Sequence, residues 1–169
     1  MGGAFPGEGS FSLSREDRMR QRGFETVRAY LGQGIHLPQR RTAGSAGYDI
    51  ETAEAVSVEP GELVLVPTGV KAYMQPDEVL QIYVRSSIAM RHKLSLANSV
   101  GIIDADYYNN EENEGHILIA LVNHGKETVH LAKGTRMAQG IFTRYLAADG
   151  DRAGEGAARA GGFGSTGER

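Results

Sequence analysis

The chain has 169 residues, 23 of them glycine, with no cysteine and no tryptophan. That length allows one ordinary domain, and the missing cysteine excludes disulfides, thiol catalysis and Cys-type zinc sites while fitting a reducing, cytoplasmic setting. A formal net charge of −3 argues against general nucleic-acid or anionic-membrane binding, so any anion site must be built locally.

Residues 1–23 read as an N-terminal extension. A glycine-rich lead is followed by a charged stretch in which Ser14 and Asp17 could start a short helix over REDRMRQR, with few apolar side chains to dock it. The opening MGGAFP lacks the serine or threonine of a myristoylation signal, no signal-peptide core follows, and no apolar run approaches membrane-spanning length.

From Phe24 to Leu146 the pattern is one of short apolar runs broken by turn residues. AGSAGYDI places Asp49 at the start of a strand. ELVLVPTGVKAYM, VLQIYVR, GHILIALVN and ETVHLAKG follow, separated by Gly, Pro and Asn and without a long 3.6-residue period. This spacing predicts an all-β single domain, a barrel or sandwich. In HILIALV both faces are apolar, so burial is expected on both. From Ala147 to Arg169, Phe163 is the only large apolar side chain among 23 residues. Such a segment is expected to be a mobile arm, able when extended to reach roughly 70 Å.

Several stretches offer chemistry. In VRSSIAM, Arg85 ends an apolar strand before Ser86 and Ser87, a pattern that suits a phosphate grip or a strand-end turn. GIIDADYY sets Asp104 and Asp106 two apart, so on a strand they would share a face and hold a metal or a water; a solvated hairpin tip is the alternative. Tyr108 at a ligand position and the missing glycine argue against a calcium loop. Gln139 in GTRMAQGIF needs partners if buried. The histidines show no zinc spacing. Gly162, Gly164 and Gly167 match G-x-G-x-x-G, yet only two residues follow, which excludes the strand–loop–helix context of a dinucleotide fold.

In their order, AGSAGYDI, RSSIAM, GIIDADY, GTRMAQGIF and RAGGFGSTG resemble the five motifs of the homotrimeric, all-β dUTP diphosphatases, over roughly residues 36–167. The resemblance implies a distorted, jelly-roll-like β-barrel (the β-clip fold) over 24–146, with 147–169 closing over a neighbouring subunit's site. It implies hydrolysis of dUTP to dUMP and pyrophosphate by water attack at the α-phosphorus, with Mg²⁺ held by the triphosphate and waters rather than directly by protein. Asp104 then orients and deprotonates the water, and Asp49 supports the metal and water network. Arg85, Ser86, Ser87 and Gln139 bind phosphates. Tyr107 packs under the deoxyribose, leaving no room for a 2′-hydroxyl, and the hairpin from Asn98 through Gly101 to Ile103 reads uracil. Phe163 closes over the base, with Gly164, Ser165 and Thr166 near the terminal phosphates. Each site draws on three subunits.

Three features depart from the family pattern. Seven residues, YNNEENE, separate Tyr107 from Gly115 where one is usual, which extends an acidic hairpin by about six residues. Arg159 lies one residue closer to the Gly161–Gly162 pair than the usual phosphate-binding arginine. Residues 1–23 have no family counterpart. Glu114-Gly115-His116-Ile117 also resembles the catalytic segment of dCTP deaminases, which keeps that activity, or a bifunctional enzyme, as the alternative. A regulatory binding protein on the same scaffold is a third reading, carried by the extension and the acidic hairpin.

Overall fold

The computed structural model describes residues 20–151. The helix expected over residues 15–22 falls almost wholly outside them, as do Arg159, Phe163, Gly164, Ser165 and Thr166. Eleven strands follow in chain order: β1 (Gly23–Thr26), β2 (Tyr48–Glu51), β3 (Val56–Val58), β4 (Leu63–Pro67), β5 (Val70–Tyr73), β6 (Glu78–Val84), β7 (Leu94–Leu96), β8 (Gly101–Asp104), β9 (Leu118–Asn123), β10 (Val129–Leu131) and β11 (Arg136–Arg144). The all-β expectation holds. Rather than one closed ring of paired strands, the described residues form four antiparallel sheets, ordered β2-β11-β6-β8, β4-β9-β7, β1-β5 and β10-β3.

These sheets share one core. Ile50 of β2, Leu80 and Ile82 of β6, and Met137 and Ala138 of β11 are buried with Val66 of β4 and Ile119 and Leu121 of β9. In β9 every second residue is buried, the alternation that a half-buried strand requires. Its other face departs from expectation. Leu118, Ala120 and Val122 stay part-exposed, beside Pro67, Leu65 and Leu63 of β4, to which they pair. Leu63 and Leu65 are 53% and 46% exposed, because nothing among the described residues covers that face.

One helix was not foreseen. α1 spans Ser86–His92 and buries only Ile88, too short a segment to show a helical period in sequence. It begins beyond Arg85, whose backbone is extended, and stops at Lys93 in the left-handed conformation, with Arg91 and His92 in its last turn. Those cations complement the helix dipole.

Buried polar groups are satisfied. Asn123, 1% exposed, donates to the carbonyls of Val58 and Glu127 and accepts from the amide of Gly125, fixing the β9–β10 turn. Thr68 donates to the carbonyl of Ile117 at 2.7 Å. Near the start of the described chain, Arg22 donates through Nε to both carboxylate oxygens of Glu78 at 3.0 Å.

His116 accepts a hydrogen bond through Nε2 from the Gly69 amide at 2.9 Å and packs on Tyr30. Burial lowers its pKa below the ordinary histidine value, against the opposing pull of Glu54 and Glu114. The neutral ring is therefore the folded form, and protonation both charges a half-buried group and removes the acceptor for Gly69. Because the unfolded chain binds this proton more readily, the stability it contributes is present above about pH 6.5 and is lost as pH falls through the lower folded value. Thermal melting across pH 5–8 should show this loss in the wild type, and His116→Gln, which keeps an acceptor but does not titrate, should flatten that part of the profile.

Candidate active site

Asp49, Arg85 and Gln139 meet at one end of the four-stranded sheet. β11 places Gln139 between Asp49 of β2 and Tyr83 of β6. Arg85 follows β6 directly, its amide hydrogen-bonded to the Met137 carbonyl. Its Nε lies 3.0 Å from Asp49 Oδ1. Two further guanidinium groups approach Asp49 Oδ2, Arg136 at 3.1 Å and Arg41 at 3.4 Å. One carboxylate thus faces three permanent cations, and the excess positive charge is what a phosphate needs. Arg85 is 27% exposed, Arg136 39% and Arg41 54%, so their outer faces remain open to a ligand. Ser86 and Ser87 start α1 beside this cluster.

Gly47 makes the arrangement possible. A Cβ on it would lie 2.5 Å from Gln139 Oε1, far inside contact distance, so any larger residue would displace the amide.

Arg136 and Arg41 do not stand out in the sequence. Arg136 pairs in register with Glu51, but an irregularity between Arg136 and Ala138 re-aims the strand. A bulge of this kind turns a side chain toward a neighbour that simple alternation does not assign. The arginine run before AGSAGYDI was the available signal for Arg41.

Asp104 and Tyr107 lie elsewhere in the chain. Asp104 ends β8 opposite Val79, four residues along β6 from Tyr83. It also lies three strands across the sheet from Asp49. With ordinary strand rise and spacing the two backbones are roughly 19 Å apart. Asp104 and Asp106 do not share a strand face, because a 3₁₀ turn over Ala105–Tyr107 begins directly after β8. Gly101 and Ile103 pair with Ile82 and Leu80, while Asn98 is exposed in the preceding turn. Among the described residues, then, the candidate site divides into a half carrying the guanidinium cluster around Asp49 and a half carrying Asp104, Tyr107 and the Asn98–Ile103 hairpin.

The extended hairpin is compact. Asn110 Oδ1 accepts from the amides of Glu112 and Asn113, and Asn113 Oδ1 accepts from that of Gly115. Glu114 binds the Lys71 ammonium at 2.6 Å and the Arg28 amide at 3.0 Å, and these partners hold its carboxyl below the ordinary glutamate value. Lys71 is itself 7% exposed. A general acid–base glutamate needs a pKa near the working pH and access to substrate. Glu114 instead anchors the hairpin to β5.

Among the described residues, no group of three or more His, Asp or Glu side chains could hold a metal, and both oxygens of Asp49 face guanidinium groups. With its carboxylate so engaged, the cluster offers positive charge to an anion rather than ligands to a cation. No helix in the described region is long and apolar enough to cross a membrane.

The dUTPase family model matches residues 33–167. A protein from Lactococcus lactis named deoxyuridine 5′-triphosphate nucleotidohydrolase is 55% identical over 149 residues, covering 88% of this chain and 99% of the relative. One of the same name from Anaeromyxobacter is 39% identical over 140 residues, covering 80% and 90%. The crystal structure of dUTPase from Streptococcus mutans aligns with a TM-score of 0.72 at 50% identity, covering 76% of this chain and 99% of that one. The five ordered motifs, the all-β fold and these likenesses agree: the chain belongs to the dUTPase family.

Proposed function

We propose that the chain hydrolyses dUTP to dUMP and pyrophosphate in sites shared between the subunits of a homotrimer. The observation that carries this reading is the division of the candidate residues between two ends of one sheet. A phosphate grip without a water-orienting carboxylate is incomplete, and it becomes complete when Asp104 and Tyr107 come from a neighbour. The apolar face of β4 and β9, with Leu63 and Leu65 exposed, supports association, since such a patch is costly to leave in water.

In this reading a water oxygen attacks the α-phosphorus while Asp104 takes its proton; the bond to the bridging oxygen of the β-phosphate breaks, and pyrophosphate leaves. Arg85, Arg136 and Gln139, with Ser86 and Ser87, hold phosphate oxygens against developing charge, and Asp49 keeps the guanidinium forks aimed. Mg²⁺ bound to the triphosphate supplies further neutralisation of that charge. Main-chain groups of Asn98–Ile103 pair with the uracil edge, where a mismatched base would leave donors and acceptors unpaired. Residues 147–169, with Arg159, Phe163, Gly164, Ser165 and Thr166, serve as the arm of a third subunit, closing over the nucleotide and excluding water. The cysteine-free sequence suits the cytoplasm. The engagement of Glu114 by Lys71 speaks against dCTP deamination, and a wild-type protein that released ammonia from dCTP would reopen it.

Pyrophosphate release should be fastest with dUTP among the deoxynucleoside triphosphates and UTP, and should depend on Mg²⁺. Asp104→Asn should lower kcat by ~10²–10⁴-fold, the usual worth of a general base, while dUTP binding measured by calorimetry persists. Normal turnover by this variant would show that the water is activated elsewhere.

Complementation tests the shared site. Arg85→Ala and Asp104→Asn should each be nearly inactive. When the two are unfolded together and refolded at equal concentration, activity should return in about a quarter of the sites, those joining one intact half from each chain. No recovery in mixed trimers confirmed by native mass spectrometry would rule out sharing between these two halves.

A further inference from the structure

The six-residue extension after Tyr107 is built around that tyrosine. Tyr107, 6% exposed, donates through its phenol to the His116 carbonyl at 3.0 Å and accepts from Asn113 Nδ2 at 2.7 Å. Its own carbonyl accepts from Asn110 Nδ2 at 2.8 Å. Asn110 Nδ2 also meets Asn113 Oδ1 at 2.9 Å, so the two amides lock each other while gripping the tyrosine at its ring tip and its backbone. Gly115, at φ +81°, completes the packing: a Cβ there would lie 2.7 Å from the Tyr107 carbonyl oxygen. The loop is in turn tied to β5, because the buried Lys71 binds both Glu114 and the Asn109 side chain at 2.7 Å.

We infer that Asn113 and Asn110 are positioning residues that fix the Tyr107 ring against the sugar and thereby set the discrimination between deoxyribose and ribose nucleotides. The inference rests on the proposed role of Tyr107 under the deoxyribose. A ring excludes a 2′-hydroxyl only if it cannot retreat, and a tyrosine fixed at both ends has little freedom to do so. The sharper the wall, the larger the penalty on UTP. Asn113 touches no reacting atom in this scheme and acts through the phenol.

The test is a double-mutant cycle on Asn113 and Tyr107, reading kcat/KM for dUTP and for UTP. Asn113→Ala should reduce the dUTP-over-UTP ratio about five- to tenfold, the worth of one ordinary hydrogen bond, with the change mainly in KM. Tyr107→Phe, which keeps the ring and removes the gripped oxygen with both of its hydrogen bonds, should lower the ratio at least as much. The double variant should be no worse in this ratio than Tyr107→Phe alone, because the bond from Asn113 to the phenol is already absent there. A merely structural role for Asn113 would lower both substrates together and leave the ratio unchanged, overturning the inference, as would full additivity of the two changes. Should Asn113→Ala fail to fold by thermal melting, Tyr107→Phe decides alone: an unchanged ratio refutes the proposal. Wild-type protein inert toward dUTP would instead remove the parent reading, and this one with it.

Discussion

Strand β6 pairs with β11 along its whole length and with β8 over Val79–Ile82, and hydrogen-bonded strands of fixed rise leave little freedom in the distance between the groups they carry. This spacing governs the candidate site. Asp49 and Gln139 hang from one end of the sheet and Asp104 from the other. No rotamer change can join them, and moving them together would cost the ladder that buries Leu80 and Ile82. The proposed reading, in which the two groups of one site come from two copies, answers this constraint, and the apolar face that carries Leu63 and Leu65 offers a reason for copies to meet.

At the end that carries Asp49, charge is arranged before any ligand arrives. Three guanidinium groups around one carboxylate would repel one another without Asp49, and Asp49 would be poorly solvated at 11% side-chain exposure without them. Each cation keeps part of its fork exposed. In the proposed reading an incoming phosphate meets donors already oriented, and little of its binding energy is spent on reorganising them. At the other end the same economy is achieved with neutral groups, the amides of Asn110 and Asn113.

Much of this was legible in the sequence. Short apolar runs between Gly, Pro and Asn gave the all-β class, and ordered motifs gave the family. Periodicity failed where geometry departs from it. α1 is two turns long, too brief to register. The 3₁₀ turn at Ala105 parts Asp104 from Asp106, which a continuous strand would have aligned. The irregularity in β11 aims Arg136 at Asp49 although its register partner is Glu51, and nothing in GTRMAQGIF signals it. The run YNNEENE reads as acidic, yet the side chains that organise it are its asparagines, whose amides both donate and accept and can close a loop on itself. The split of the site across the sheet depends on strand order, which pattern alone does not supply.

Gly47 and Gln139 illustrate how tightly distant parts of the chain are bound to one another. The amide of Gln139 occupies the space in which a side chain at position 47 would begin. An alanine at 47 would push that amide, the far end of a flexible side chain, out of its present place. A residue without a side chain, remote in sequence, thereby sets the orientation of the polar group that stands between Asp49 and Tyr83 on the sheet.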